Sequence, residues 1–322
     1  MEIAVLDLGS TTFHLQHIVL DGEAPFATSS TSLDIKRSIC LGAQVFSDGF
    51  LDRTSWSDSL GAVAELLETS RAYKPDQLVV VATSAIRSAR NGALLVSEIE
   101  QRHQVTVRVL TPDEEARLAY LGQSTSPVVA GRRVAAIDLG GGSVEIAVGE
   151  GARCIYAASL PIGALRMKAL AGGDASRDFA AADAEQLGRA IHERAGTELR
   201  SVRELAPEIV VFGSGSARAA RKLVMRDTPI PGKVGPIETA HFGSLLERLF
   251  GLPGAALISR DVEPARAPTV LVAAAIMTQL LELLGADAAF VSDKGLRDGV
   301  ALELFREHAA RLRASVANAA FA

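Results

Sequence analysis

Cysteine, tryptophan and long apolar runs are scarce in this chain of 322 residues, which has two cysteines and one tryptophan. Cys40 and Cys154 lie far apart and lack the paired spacing of metal ligands, so the sequence supports neither a disulfide framework nor a zinc site. Both are predicted to be reduced core residues. The most apolar window, Val270–Leu284, is interrupted by polar residues and is too short to span a bilayer. It predicts a buried helix, and no membrane partner is expected.

An excess of basic residues is also lacking, because 33 basic and 38 acidic residues give a net charge of −5. This balance argues against general electrostatic binding of nucleic acid, so a polyanionic substrate would need a local basic patch. The basic runs that form either such a patch or ordinary solvated helix faces are Lys36 and Arg37, Arg87 and Arg90, Arg132 and Arg133, Arg166 and Lys168, and Arg218, Arg221 and Lys222. The chain starts directly with a strand pattern and without the features of a signal peptide, so a cytoplasmic protein is expected.

The tripeptide Asp-Leu-Gly occurs twice in the same local context, as DLGSTTFHL at 7–15 and as DLGGGSVEI at 138–146. Each copy follows an apolar run and precedes a second, alternating one. An apolar run bounded by Gly, Ser and Thr is typical of a strand that enters a tight turn and a second strand. Two such hairpins in one chain predict two lobes.

These turns have the composition of phosphate-binding loops. Glycine permits the backbone geometry in which consecutive N–H groups converge on an anion, and neighbouring hydroxyls add donors. The donors would come from Gly9, Ser10 and Thr11 in the first hairpin and from Gly140, Gly141 and Ser143 in the second. A carboxylate repels an anion, so Asp7 and Asp138 suit a divalent cation held against the phosphate. The alternative is an ordinary hairpin turn with Asp as a turn former.

Two adjacent glutamates follow a predicted strand at 105–110. Thr111 or Asp113 is expected to start a helix with Pro112 in its first turn, which places Glu114 and Glu115 just past the carboxyl end of the strand. One of the two glutamates complements the positive end of the helix dipole. The other is a candidate to point into a cleft and act on water.

The remaining pattern alternates strands and helices, as in an α/β protein. Strands are predicted near 29–40, 78–82, 155–159, 209–212 and 288–291, and helices near 54–72 and 180–203, with Asn91 capping a further helix. The segment 123–132 marks the crossing between lobes. After the strand 209–212, Gly213 and Ser214 open a Gly-rich helix start where a phosphate or a base can approach the backbone. In SDKGLRDGV at 292–300, the glycines indicate a hinge or close helix packing.

Six motifs in order carry a resemblance to a known family: DLGSTTFHL, ATSAIRSARN, EEARLAYLG, DLGGGSVEI, SLPIGALRM and GLRDGV. Over nearly the whole chain they resemble the exopolyphosphatase/guanosine pentaphosphatase (Ppx/GppA) family, in its short two-domain type. The resemblance implies the two-lobed actin-like (ribonuclease H-like) ATPase fold of the actin, Hsp70 and sugar-kinase superfamily, with an interdomain cleft. The lobes are expected at 1–126 and 127–301, with a C-terminal helix at 302–322 packing back on the first lobe.

The resemblance also implies an activity, the release of terminal orthophosphate from inorganic polyphosphate with Mg²⁺, or alternatively Mn²⁺, in the cleft. Glu115 matches the carboxylate that orients or deprotonates the attacking water, with Glu114 as its neighbour. Asp138 and Glu145 match the carboxylates that hold metal and water, beside the Asp7 already considered. Arg87 matches an arginine that would neutralise the phosphate chain, while the two hairpins supply the donors to the terminal phosphate. A homodimer is a further expectation from the family.

Two loops depart from the family pattern. The first loop reads GSTT instead of GSNS, which removes an amide, and the Gly-rich loop reads GSGSA instead of GTGGT. The second change favours polyphosphate over guanosine pentaphosphate, which is kept as the alternative substrate. A phosphotransferase of the sugar-kinase type and a non-catalytic sensor of polyphosphate or an alarmone are the other hypotheses. Phosphate transfer from ATP would identify the former, and binding without turnover the latter.

Overall fold

Two mixed β-sheets, formed by consecutive parts of the chain, organise the structure. The computed structural model describes residues 1–22, 28–170, 179–228, 235–258, 260 and 262–319. Helices cover the sheets, so the predicted two-lobed α/β class is confirmed. The residue boundaries predicted for the two lobes stay predictions. No helix in the described ranges is long and apolar enough to cross a membrane.

The first sheet has five strands in the spatial order β3-β2-β1-β4-β5. Its strands are β1 Glu2–Leu8, β2 Thr12–Asp21, β3 Thr28–Ser38, β4 Gln77–Ala82 and β5 Val107–Val109. β1 and β2 form the first predicted hairpin, and β3 pairs antiparallel to β2. β4 and β5 run parallel to β1, so their carboxyl ends meet at the edge where the hairpin turns.

The second sheet has six strands in the order β10-β11-β9-β6-β7-β8. Its strands are β6 Arg133–Leu139, β7 Val144–Glu150, β8 Arg153–Leu160, β9 Ile209–Gly213, β10 Ile237–Glu238 and β11 Ala288–Val291. β6 and β7 form the second predicted hairpin, and β9 and β11 extend the sheet in parallel from β6. The centres of the two sheets therefore repeat one arrangement, a hairpin flanked by parallel strands.

Twelve helices are present in the described parts of the chain, together with a 3₁₀ turn at Pro127–Val129. They are α1 Leu41–Asp48, α2 Arg53–Tyr73, α3 Ser84–Ser88, α4 Gly92–His103, α5 Pro112–Gln123, α6 Ala164–Leu170, α7 Ala181–Glu204, α8 Ser214–Asp227, α9 Thr239–Leu249, α10 Gly254–Ile258, α11 Val270–Leu284 and α12 Leu296–Ala319.

The central strands are buried on both faces, which explains their unbroken apolar sequence. Ala4, Leu6 and Leu8 of β1 contribute to the core on the α2 side, while the alternating residues Ile3 and Val5 contribute to the core on the α12 side. The second sheet has the same two-sided burial, with its larger core under α7, α8, α9 and α11. Because successive side chains of a strand point to opposite faces of the sheet, one apolar strand contributes to the core on each face.

α5 lies between α12 on the first sheet and the strands β6, β7 and β8 of the second. Two glycines allow α5 and α12 to approach closely. A Cβ atom at Gly122 would overlap the carbonyl oxygen of Gly295, and one at Gly299 would overlap that of Leu118. The glycine at 299 therefore serves close helix packing, the second of the two predicted roles, whereas a Cβ atom at Gly295 would lie 3.4 Å from Asp138 Oδ2, an ordinary contact. The helix that carries Glu114 and Glu115 is consequently held between the two sheets.

The long, periodic elements agree with the sequence predictions. The apolar window is the buried α11, and the helices predicted near 54–72 and 180–203 are α2 and α7. The short helices α1 and α9 were not predicted. The terminal helix begins at Leu296, before the expected residue 302, and the expected end at 320–322 lies outside the described residues.

Two expectations were wrong. Asn91 precedes α4, but its side chain makes no cap, because it bonds the backbone of Leu51, 2.9 Å from both N–H and C=O. Both polar atoms of the Asn91 side chain are used in these two hydrogen bonds, so neither is left to cap the helix. The two cysteines are free but half-buried, since Cys40 precedes α1 and Cys154 lies in the strand β8 near the surface.

Candidate active site

The two Gly-rich hairpin turns face one cleft between the sheets, and they have matching registers. In the first hairpin Asp7 pairs with His14, and in the second Asp138 pairs with Glu145. The predicted residues that line the cleft are Asp7, Gly9, Ser10, Thr11, Glu115, Asp138, Gly140, Gly141, Ser143, Glu145 and Ser214. The repeated sequence therefore places chemically different groups, an imidazole and a carboxylate, at equivalent positions.

The turns touch each other across the cleft. A Cβ atom at Gly141 would lie 2.9 Å from Thr11 Oγ1 and 3.2 Å from the Cβ of Ser10. Within the second turn, the Gly140 N–H donates to Ser143 O at 3.0 Å. Backbone N–H groups and hydroxyls of both sheets thus converge on one small volume, as a phosphate site requires.

The adjacent glutamates of α5 lie in different environments. Thr111 caps the helix, because its Oγ1 accepts the Glu114 N–H while Glu114 Oε2 accepts the Thr111 N–H at 2.8 Å. Glu114 Oε1 also accepts from Arg108 at 2.9 Å. The hydrogen bonds from the Thr111 backbone and from Arg108 hold the pKa of Glu114 at about 2. Glu114 therefore completes the capping box and pairs with Arg108, and it does not line the cleft.

Glu115 points into the cleft and is only 7% exposed. Its Oε2 accepts from Arg87 Nη1 at 2.7 Å, and the same Nη1 donates to Leu110 O at 2.6 Å. Burial raises the pKa of Glu115 well above its usual value, the neighbouring Glu145 raises it further, and Arg87 opposes both. Arg87 thus forms an ion pair with Glu115, and it is not among the residues that line the cleft.

Four further carboxylates line this cleft, those of Asp7, Asp138, Glu145 and Asp293. Glu145 Oε1 accepts from Ser159 Oγ at 2.8 Å, and burial raises the pKa of Glu145 to about 7. Burial also raises the pKa values of Asp7 and Asp138. Burial and neighbouring negative charges both disfavour ionisation, so the arrangement favours a bound cation or bound protons.

A model of the Ppx/GppA phosphatase family matches residues 29–308. The chain belongs to the Ppx/GppA phosphatase family. The protein named exopolyphosphatase 1 of Mycobacterium tuberculosis is 26% identical over 312 residues, covering 94% of this chain and 88% of the relative. An uncharacterized protein of Streptomyces coelicolor is 27% identical over 314 residues, covering 94% of this chain and 90% of the relative.

Solved structures show the same fold. The PPX-GPPA enzyme of Aquifex aeolicus superposes with a TM-score of 0.74 at 25% identity, covering 94% of this chain and 99% of the other. An exopolyphosphatase from Cytophaga hutchinsonii gives a TM-score of 0.83 at 21% identity, covering 95% and 98%. Because coverage is nearly complete on both sides, this chain has the length of the short Ppx/GppA structures.

The donor set of the cleft fits the magnesium that the Ppx/GppA family implies. Asp7 Oδ2 accepts from Arg297 at 3.0 Å, but its buried Oδ1 has no hydrogen-bond partner among the described residues. No group of three or more His, Cys, Asp or Glu side chains in that part of the chain is placed to hold a metal ion by itself. Mg²⁺ usually takes one or two carboxylates and completes its shell with water and substrate phosphate, so the oxygen ligands present suffice.

Most of the cationic side of this Ppx/GppA cleft was not predicted from the sequence. Arg218, Arg266 and Arg297 line it together. Arg266 Nη1 donates to Ser216 Oγ at 3.3 Å, and no described residue forms a hydrogen bond or ion pair with Arg218. Arg297 stands inside the quoted motif GLRDGV, and Arg218 was named only as part of a basic run. Arg266 follows a loop without a local pattern, so no sequence signal indicated it.

His14 is a second missed residue of the cleft. Its Nε2 lies 2.8 Å from Asp34 Oδ1, and burial together with the charge of Arg297 lowers the pKa of His14 to about 4. The imidazole is therefore neutral at pH 7. His14 lines the cleft, and its position in the first hairpin is equivalent to that of Glu145 in the second.

One side of the cleft is closed by contacts between α1 and α6. Arg166 of α6 donates from Nε to Gly142 O at 2.8 Å, and its guanidinium lies 4.2 Å from the ring centroid of Phe46 in α1. A Cβ atom at Gly142 would overlap the Phe46 ring. A glycine is required there because the aromatic ring of the first lobe packs directly on the turn of the second.

Proposed function

We propose that this chain is a phosphohydrolase that releases terminal orthophosphate from inorganic polyphosphate. The observation that carries the proposal is the position of Glu115, a buried carboxylate with a raised pKa beside two phosphate-binding turns. The printed name of the Mycobacterium tuberculosis relative, exopolyphosphatase 1, supports the same substrate class. A carboxylate whose pKa is raised toward neutrality is suited to accept a proton from water.

In this proposal the terminal phosphate binds between the turns, held by N–H groups at Gly9 and Gly141 and by the hydroxyls of Ser10 and Ser143. Water attacks the terminal phosphorus in line and gives a proton to Glu115 as the new P–O bond forms. The bridging P–O bond breaks, and the shortened chain leaves with its negative charge. Phosphoryl transfer of this kind needs positioning and charge stabilisation more than covalent catalysis.

One or two of the carboxylates of Asp7, Asp138 and Glu145 would hold the Mg²⁺, or alternatively Mn²⁺, that the family implies. When bound, the ion would offset the negative charge of the phosphoryl oxygens. The unpaired Asp7 Oδ1 is the atom of this set that most clearly needs such a partner. Arg297 fixes the other oxygen of Asp7 and so orients the carboxylate.

The start of α8 supports inorganic polyphosphate over guanosine pentaphosphate. A Cβ atom at Gly215 would overlap the guanidinium of Arg266. The guanidinium thus covers the glycine at which a base would approach the backbone. A linear phosphate chain can instead use Arg266 as a charged partner, because guanidinium groups bind phosphate oxygens in pairs.

The test is phosphate release with Mg²⁺ from tripolyphosphate, long-chain polyphosphate and guanosine pentaphosphate, run side by side in ¹⁸O-labelled water. We expect release from polyphosphate, with one ¹⁸O atom in each released phosphate. Release from guanosine pentaphosphate alone would reassign the substrate. Transfer from ATP to a small hydroxyl acceptor would indicate a kinase, and binding without release would indicate a sensor.

A further inference from the structure

A second cavity adjoins the cleft on the side away from Phe46. It is lined by Lys36, Gly215, Arg218, Ala219, Lys222, Glu263 and Arg266. Gly215, Arg218 and Arg266 also line the cleft, so the two spaces are continuous. The lining contains four cations and one carboxylate, although the whole chain has a net charge of −5. Such a local excess of positive charge marks a path for a polyanion.

Glu263 is the exception in this cationic lining, and it connects the two lobes. Its Oε1 lies 3.5 Å from Lys36 Nζ on β3, and its Oε2 lies 3.1 Å from Arg266 Nε. Partial burial acts to raise the pKa of Glu263, but the charges of Lys36 and Arg266 hold it below its usual value. The carboxylate is therefore ionised at neutral pH and occupies the partners that a phosphate would use.

Glu263 can be displaced when another anion takes its place. Its side chain is 48% exposed and that of Lys36 is 34% exposed, so solvent weakens this ion pair. Arg266 is only 12% exposed, so its guanidinium gives up Glu263 only to a phosphate that replaces the carboxylate as its partner. A phosphate carries oxygens on several sides and forms paired hydrogen bonds with a guanidinium, so it competes well for Arg266. Arg218, without a hydrogen bond or ion pair to any described residue, is available to the same anion.

The cleft is covered at the turn that contains Gly142. There Phe46 packs on Gly142 and under the Arg166 guanidinium, and α1 contacts α6. A chain whose terminal phosphate lies between the turns must continue toward the side where cations line an open space.

We propose that the internal phosphates of the substrate leave the cleft through this second cavity, and that Glu263 is the carboxylate they displace from Lys36 and Arg266. The proposal rests on the proposed function and adds a binding site for the chain beyond its reacting end. Lys222 lies at the outer part of the lining and binds phosphates that a short substrate does not reach. Glu263 thereby disfavours entry of the phosphate chain. Long chains bind more tightly than short ones because their internal phosphates also reach Lys222, and long chains are therefore the better substrates.

The experiment compares Lys222→Gln and Glu263→Gln with the wild type at low ionic strength, using tripolyphosphate and long-chain polyphosphate. For Lys222→Gln we expect the KM for the long chain to rise about two- to fivefold, with little change for tripolyphosphate. For Glu263→Gln we expect the long-chain KM to fall by a similar factor at constant kcat. Added salt should shrink both effects.

Matched controls are Lys74→Gln and Glu247→Gln, which remove the same charges from exposed residues that line neither cavity. They separate a local effect from one of net charge. Equal changes for both substrates, or changes matched by the controls, would overturn the proposal.

A direct measurement of polyphosphate binding tests the chain site independently of the hydrolase activity. The dissociation constant of long-chain polyphosphate is measured for the same variants in a Glu115→Gln background. Shifts in this constant without any phosphate release from the wild type would retain the chain site and reject the hydrolase. Release by the wild type with unshifted constants would reject the chain site and retain the hydrolase, and absence of binding would reject both.

Discussion

Two neighbouring residues of α5 show how position alone separates chemical roles. Glu114 receives hydrogen bonds from Thr111 and Arg108, which lower its pKa to about 2, whereas burial raises the pKa of Glu115. Successive helical residues point about 100° apart, so one side chain caps the helix and the other enters the cleft. The sequence pattern predicted two different roles for these residues, and the resemblance to the family gave Glu115 as the one that acts on water.

The pair formed by Arg87 and Glu115 sets the pH at which Glu115 can act as a base. Arg87 favours the ionised carboxylate, so Arg87→Gln removes a stabilising charge and raises the pKa of Glu115 further. We expect the rising limb of kcat/KM against pH to move to higher pH. The measurement is the pH profile of phosphate release from polyphosphate.

Arg90→Gln is the control for this profile, because Arg90 lies over the Phe50 ring and not on Glu115. Arg87→Lys, which keeps the charge, should move the limb less than Arg87→Gln. An unshifted limb in Arg87→Gln would show that Glu115 does not control the proton transfer.

At the residue scale, the sequence predicted groups that belong to local patterns. Gly9, Gly140 and Glu115 stand in short motifs whose chemistry is readable from neighbours in the chain. Arg266 reaches the cleft only through the packing of distant segments, so its role depends on contacts that no local pattern records.

At the scale of elements, α5 positions the proposed base. Its start is fixed by the Thr111 cap and by Pro112, and its later turns are fixed by the close approach of α12. A shift of this helix would displace Glu115 relative to both turns. The glycine contacts between α5 and α12 are therefore expected to matter for activity as well as for stability.

Substitution at this crossing tests that expectation. Gly122→Ala should reduce the free energy of unfolding by about 1–3 kcal/mol, because the added methyl meets the backbone of α12. We also expect kcat to fall, since α12 must move away and α5 moves with it. Unfolding by denaturant and steady-state kinetics measure the two effects.

Gly61→Ala is the matched control in α2, where a Cβ atom meets nothing within 4 Å. It should leave kcat unchanged and raise the free energy of unfolding by up to about 1 kcal/mol. If Gly122→Ala had the same effect as Gly61→Ala on kcat and on the free energy of unfolding, the close approach of α5 and α12 would not be needed for activity.

Elements were predictable in proportion to their length and periodicity. α11 is apolar except at Thr278, Gln279 and Glu282, and α7 repeats its apolar residues over 24 positions, so both were recognised. α1 has eight residues and only two buried apolar side chains, Leu41 and Val45, which is too little periodicity to identify a helix. α1 matters for the cleft because it contacts α6 of the other lobe, and no local sequence pattern indicates that contact.

At the scale of the whole molecule, the cleft concentrates carboxylates that fold with raised pKa values. A carboxyl group whose pKa is higher in the folded than in the unfolded state binds more protons when folded. Its contribution to stability is complete below the unfolded pKa and is lost as the pH rises through the folded pKa. For Glu145 the window extends from its ordinary value of 4.5 to about 7.

We therefore expect the metal-free protein to lose stability relative to Glu145→Gln as the pH rises from about 5 to 8, by about 1–3 kcal/mol. His14 has the opposite sign, since its pKa is lowered to about 4, but it is present in both proteins and cancels. Denaturant unfolding across this pH range measures the difference. Parallel stability curves for the two proteins would contradict the raised pKa of Glu145.

We propose that Glu115, and not Glu114, activates water against a phosphate chain held between the two turns. The most direct measurement is the rate of orthophosphate release from polyphosphate by the wild type, Glu115→Gln and Glu114→Gln, with each variant shown to be folded. We predict that Glu115→Gln is slower by about 100- to 10,000-fold, while Glu114→Gln keeps its turnover and loses about 1 kcal/mol of stability. Near-normal release by a folded Glu115→Gln would contradict the account.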